Sequence, residues 1–218
     1  MLGEVDVMSV YAAEVKRRVA TGIIIVHTDS GEIWVNKDAK NRPETGRIAG
    51  QKTIPFESIK SGETQKETVL GGLAEVFDDP VLPQVSTHIV SMDKQMRVLP
   101  EPITFEDEYG SFACPMAVLL YNGLPTVQFE PFDRREAEPF GWMTVDNFLG
   151  ETNVRNAARV TVTALEEQGI ITSKLKAYHH DSLYRRRVIP DGFSVRSFYK
   201  QREEKADVGP IPIYERKH

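Results

Sequence analysis

The chain has one cysteine, Cys114, in 218 residues. A single thiol excludes an internal disulfide framework and a multi-cysteine zinc centre. Cys114 lies in an apolar run and reads as a buried core thiol, because a nucleophilic cysteine needs an electropositive, partly exposed setting that its neighbours do not provide. Long hydrophobic runs are lacking too. The longest, residues 22–26 and 113–121, are far too short to cross a bilayer as a helix. The first residues carry acids early and basic residues late, the wrong order for a secretory signal. No internal repeat and no low-complexity tract is present. An intracellular, cytoplasmic location is the expectation.

What is there is enough for a core. Apolar residues make up 40% and charged residues 27%, the balance of an ordinary globular chain. The length suits one domain plus an appendage. Charge is uneven. Residues 172–218 hold 11 Lys+Arg against 6 Asp+Glu, or +5, and the remainder holds 16 against 26, or −10. An acidic body therefore carries a basic tail.

Residues 19–26 and 31–35 read as two strands around a polar turn, the first rich in β-branched Ile23, Ile24, Ile25 and Val26. Residues 37–50 read as a loop and 53–59 as a short extended segment. Residues 64–79 read as a helix. Thr64 and Glu67 form a capping box, and Val69, Leu70, Leu73, Val76 and Phe77 make one apolar face, leaving Glu75 on the other. Residues 88–92 and 95–99 suggest a hairpin, and acidic residues 104–110 a loop. Residues 111–121 suggest a strand turning at Asn122-Gly123 into a return strand at 126–129. Residues 153–168 read as a second helix, capped by Thr152 or Asn153, ended by Gly169, with Val154, Ala158, Thr161, Val162 and Leu165 as its buried stripe.

The stretch from Lys52 to Asp79, KTIPFESIKSGETQKETVLGGLAEVFDD, resembles the box of the Nudix hydrolases, a strand–loop–helix. The family pattern is glycine, five residues, glutamate, seven residues, Arg-Glu, an apolar residue, any residue, and Glu-Glu. Pro55, Gly62-Glu63, Leu73 and Glu75 fall on pattern, but Glu57 stands at the first glycine, Gly71-Gly72 at Arg-Glu, and Val76 at the last glutamate. Residues 138–148, with their glutamate, tryptophan and apolar turn, add to the likeness. The resemblance implies a Nudix-type α/β/α sandwich with a mixed β-sheet over residues 19–171. Residues 1–18 form an N-terminal segment, and residues 172–218 a basic C-terminal extension.

In that family, helix carboxylates hold Mg²⁺ or Mn²⁺, hard cations that take oxygen ligands, and the metal clamps a diphosphate. The resemblance therefore implies a nucleotide-type ligand, a nucleoside diphosphate linked to another group. With Gly72 and Val76 at metal positions, catalysis is expected to be lost or weak. The alternative is an active pyrophosphohydrolase with a rearranged set of Glu63, Glu75 and Asp79, or with a loop acid among Glu106, Glu108, Glu130, Asp133 and Glu136 as base. Arg47 and Lys52, with Arg42, are candidate phosphate cations. Gly71-Gly72 reads either as drift after loss of catalysis or as a place where a ligand or partner packs close.

In the tail, residues 184–189 and 193–199 suggest a hairpin across Pro190-Asp191-Gly192. Its arginines and aromatics offer a nucleic-acid surface over residues 174–205, a contact with the acidic body, or a homodimer interface. A winged helix-turn-helix over the same residues lacks room for its two preceding helices. His179-His180 is a weak metal pair, because neighbours in an extended segment point to opposite sides.

Overall fold

The computed structural model describes residues 18–60, 62–76, 89–91, 102–107, 110–123, 137–172, 186–187, 189, 193–194, 196–198 and 200–201. Its elements are β1 (Arg18–His27), β2 (Ile33–Asp38), β3 (Lys52–Thr53), β4 (Phe56–Ser58), α1 (Gln65–Val76), β5 (Ile89–Ser91), β6 (Ile103–Asp107), β7 (Gly110–Cys114), β8 (Met116–Tyr121), β9 (Ala137–Met143), α2 (Val145–Gly150), α3 (Asn156–Glu167) and β10 (Arg186–Arg187). A 3-10 turn, Pro43–Thr45, interrupts the loop after β2.

Strand β1 organises the sheet. It runs antiparallel to β2 and β4 and parallel to β7 and β8, so the sheet is mixed. The hydrogen-bonded order is β10-β5-β8-β1-β2-β3, with β9 on β2 and β6 on β7. Ile23 to Val26 are all fully buried because successive side chains enter opposite layers and both layers are covered. Ile24 and Val26 join Val118 and Leu120 of β8 beneath Ala158, Val162 and Leu165 of α3. Ile23 and Ile25 join Leu119 and Tyr121 beneath Val69, Leu70 and Leu73 of α1. The result is the expected three-layer α/β/α sandwich.

The stripe of α3 is buried as read: Val154, Ala158, Thr161, Val162 and Leu165. Gly169 closes the helix at φ 68°. The helix starts later than expected, however. Arg155 is its N-cap residue and supplies no side-chain cap, while Asn153 Nδ2 donates instead to Gly50 O at 3.1 Å. A separate short helix, α2, is capped by Thr144, whose hydroxyl accepts from Asn147 N–H.

Three expectations are corrected. Residues 104–107 are strand, not loop: β6 pairs with β7 from Ile103↔Cys114 to Asp107↔Gly110. Phe105 stacks on Phe112 at 5.0 Å, and that ring pair outweighs the acids, of which Glu106 is exposed. The segment 111–121 is two strands, β7 and β8, parted at Pro115, whose missing N–H ends the ladder. In the tail, the second hairpin arm is not extended. Residues 196–198 and 200–201 are helical, with Phe198 N–H donating to Ser194 O at 3.0 Å and Ser197 N–H to Ser194 Oγ at 3.4 Å. Ser194 thus starts a helical turn where a return strand was expected.

The first arm pairs elsewhere. β10 adds to β5 through Arg186↔Ser91 and Arg187↔Val90. Ile189 is then buried among the α1-side core, and Phe193 and Phe198 pack against the same cluster. The hairpin partner at 95–99, the return strand at 126–129, His179-His180 and the acids Glu108, Glu130, Asp133 and Glu136 lie outside the described residues.

Candidate functional site

The loop into α1 is built from local hydrogen bonds. Thr64 N–H donates to Glu67 Oε2 at 2.9 Å, and Glu67 N–H donates to Thr64 Oγ1 at 3.2 Å. This is the reciprocal capping box. Glu63 Oε2 accepts Lys60 N–H at 3.1 Å, so this carboxylate braces the turn before the helix. Glu75 lies near the other end of α1, ten residues beyond its first residue Gln65. At 1.5 Å per residue that is about 15 Å, so Glu63 and Glu75 serve opposite ends of the helix. Asp79 lies outside the described residues.

The middle of α1 departs from the one-sided helix expected. Residues 68–74 are all buried. Gly72 explains part of this. A Cβ there would overlap Ile23 Cδ1 of β1 and lie 3.2 Å from Glu57 Cβ of β4. The space a side chain at 72 would need is filled by the chain's own sheet, so at Gly72 the close neighbours are β1 and β4. Glycine lets the helix backbone approach the strands.

Glu57 is part of that junction. It is buried, pairs across the ladder with Thr21 of β1, and faces α1 at Gly72. Cross-strand partners share one face of a sheet, so the Thr21 hydroxyl lies beside it. Thr21 is fully buried, and its Oγ1 has no hydrogen-bond partner among the described residues. Position 75 is three residues beyond Gly72 and therefore on the same side of α1, one turn along.

The candidate phosphate cations are both engaged. Arg47 Nε binds Asp38 Oδ1 at 2.7 Å, and Lys52 Nζ binds Glu151 Oε1 at 2.6 Å. Asp38 is almost wholly buried, and burial pushes its carboxyl above the usual range, while Arg47, then Arg155, then Arg42 pull it back. Burial likewise raises the Tyr121 hydroxyl and takes the Cys114 thiol to about 12, the inert buried thiol expected from sequence. Lys37 and Lys52 face each other across β2 and β3, and their ammonium groups sit 5.0 and 4.6 Å from the ring of Phe140, an exposed aromatic. Sequence reading passed over Phe140, because only the pairing of β2 with both β3 and β9 brings it to the lysines.

Among the described residues, no three His, Cys, Asp or Glu side chains converge as a metal site. At the β4–α1 junction the described residues place two oxygen donors, the Glu57 carboxylate and the Thr21 hydroxyl, on the sheet face toward α1. Such donors fit a hard cation of the Mg²⁺ or Mn²⁺ type rather than a softer metal.

No family model matches the chain, and no curated protein matches it. Several solved structures are similar to it. A NUDIX hydrolase from Nitrosomonas europaea is 10% identical with a TM-score of 0.46, over 72% of this chain and 92% of that one. A Nudix hydrolase from M. smegmatis is 12% identical with a TM-score of 0.47, over 71% and 86%. A C. elegans Ap4A hydrolase is 11% identical with a TM-score of 0.46, over 70% and 98%. The chain's own architecture is an α/β/α sandwich, a mixed sheet between α1 on one face and α2 and α3 on the other, with the strand–loop–helix of residues 52–76 packed on β1.

Proposed function

We propose that this chain binds a nucleotide-type small molecule, a nucleoside diphosphate linked to a second group, and hydrolyses it weakly or not at all. The observation that carries the reading is Gly72. Its position has no carboxylate, and Ile23 leaves no room for one. Metal-assisted attack on a diphosphate needs several oxygen donors around the cation. A box helix packed directly onto the sheet at this point has fewer of them. When bound, Mg²⁺ or Mn²⁺ would neutralise phosphate charge, with Glu57 and Glu75 as the residues to hold it.

The Lys37–Lys52–Phe140 group supports the same reading. An exposed ring beside the Lys37 ammonium offers a stacking face for a base and a cation for a phosphate, while Lys52 is held by Glu151. The second reading, a Mg²⁺- or Mn²⁺-dependent pyrophosphohydrolase with rearranged donors, is favoured by Glu57 in the junction.

One experiment separates the two. The protein is incubated with ADP-ribose, dinucleotides and nucleoside triphosphates, each with Mg²⁺ or Mn²⁺. Thermal shift reports binding, and chromatography reports products. The expected result is a raised unfolding midpoint with at least one compound and no product. Product formation that disappears in Glu75→Gln sinks the binding-only reading in favour of the enzyme. Silence across the whole panel in both assays sinks both.

A further inference from the structure

We propose that Asn122-Gly123 is a covalent self-modification site, where Asn122 converts through a cyclic imide to isoaspartate and aspartate and releases the end of β8 from the β1–β2 turn. The pair directly follows β8, and Asn122 is exposed. Position 123 admits no side chain: a Cβ there would lie 2.3 Å from the Tyr121 hydroxyl and 2.4 Å from its Cζ. Tyr121 is buried and stacked on Trp142, so its ring has nowhere to swing. The fold therefore keeps glycine immediately after an exposed asparagine. Without a Cβ, the Gly123 backbone nitrogen is unshielded. Having given its proton to a solvent base, that nitrogen attacks the Asn122 side-chain carbonyl carbon. An N–C bond forms, the bond to the side-chain nitrogen breaks, and that nitrogen leaves as ammonia with a proton from water. Water then opens the ring. Opening at the side-chain carbonyl gives aspartate on the original backbone. Opening at the main-chain carbonyl gives isoaspartate, whose main chain is longer by a methylene.

The surroundings turn that insertion into a structural change. Thr28 N–H donates to Tyr121 O at 2.9 Å, just before Asn122. Just after it, Gly123 O is held by His27 Nε2 at 3.1 Å. Ser30 N–H donates to His27 Nδ1 at 3.2 Å, which leaves the imidazole proton on Nε2 to serve Gly123. The carbonyls on both sides of Asn122 are thus pinned to the end of β1. A longer main chain between them has no slack to absorb it, and the His27 contact gives way. The buried His27 ring meets Trp142 edge to face at 5.4 Å, so its displacement alters the surroundings of a tryptophan.

The test follows the full chain during days in mildly alkaline buffer at physiological temperature. Peptide mass mapping, with fragmentation that separates isoaspartate from aspartate, reads the modification, and tryptophan emission is recorded alongside. Asn36, Asn41, Asn147, Asn153 and Asn156, none followed by glycine, are internal references. Asn122→Gln keeps an exposed amide but disfavours ring closure. The expected result is exchange of NH for O at Asn122 ahead of every reference asparagine, with isoaspartate as the larger product. The emission shift should track the conversion and be lost in Asn122→Gln. An Asn122 peptide that stays unmodified in the folded chain overturns the proposal, as does conversion only in urea or no faster than the references. Isoaspartate formation with unchanged emission overturns the coupling to His27.

Discussion

Gly72 of α1 and Ile23 of β1 approach so closely that a Cβ on the glycine would overlap Ile23 Cδ1. The contact sets the spacing between the box helix and the central strand. It also explains why a residue that weakens a helix by about 1 kcal/mol relative to alanine stands in its middle.

Gly72→Ala should therefore destabilise the protein despite the better helix former. Overpacking costs about 1–3 kcal/mol, which exceeds the propensity gain. Ile23→Val removes the overlapping Cδ1, so the double variant should be more stable than the two single losses added together, with a coupling of about 1 kcal/mol. Urea unfolding of the four proteins measures it. Strict additivity would show that the two residues do not touch.

The buried Asp38–Arg47 pair predicts a pH dependence. Burial raises the Asp38 carboxyl in the folded state. Its contribution to stability is fully present below the unfolded carboxyl pKa and is lost as pH rises through the folded value. Unfolding of wild type and Asp38→Asn from about pH 3 to pH 7 should show the wild-type advantage shrinking with rising pH; a constant difference would contradict the burial. Arg47→Met leaves the buried carboxylate without its direct ion-pair partner, with only the more distant Arg155 and Arg42 to offset it, and should cost about 3 kcal/mol near neutrality.

Ile189 tests whether the basic extension belongs to the folded body. It is 1% exposed in the core beneath α1. Ile189→Ala should cost about 2–4 kcal/mol, read as a lower urea midpoint with an unchanged slope. A change within about 0.5 kcal/mol, typical of a free surface position, would place it outside that core.

Cys114 should be silent to thiol reagents. With its thiol pushed up to about 12 by burial, almost no thiolate exists at about pH 8, and the thiolate is the reactive form. Iodoacetamide should label it slowly in buffer and readily in urea, with mass spectrometry as readout. Fast labelling of the folded chain would contradict the assigned burial.

Local chemistry made much of this architecture readable. Thr64 and Glu67 announce the start of α1 because a capping box is completed within four residues, and it forms as read. The α3 stripe is legible because its period is local too. What escaped depends on partners far along the chain. Thr104 to Asp107 read as loop because the stacking of Phe105 on Phe112 is a tertiary fact. The tail's first arm found β5, some ninety-five residues earlier, instead of its neighbour. At the site, the box pattern led to Glu63 and Glu75, while the Gly72–Glu57 contact and the Asp38–Arg47 pair arise only when β4, α1 and the loop after β2 are brought together.

Trp34 and Trp142 are the only two tryptophans of the chain, and their rings meet edge to face, 5.4 Å apart at 74°, with Tyr121 stacked on Trp142. Trp34 shares its buried cluster with α1, and Trp142 packs against that cluster. The tryptophan emission of the protein thus originates on one side of the sheet, giving a built-in optical gauge when tryptophan alone is excited. Quenching or a spectral shift on adding a compound reports a disturbance on the box-helix side, and events confined to the α3 side leave the spectrum dark to them.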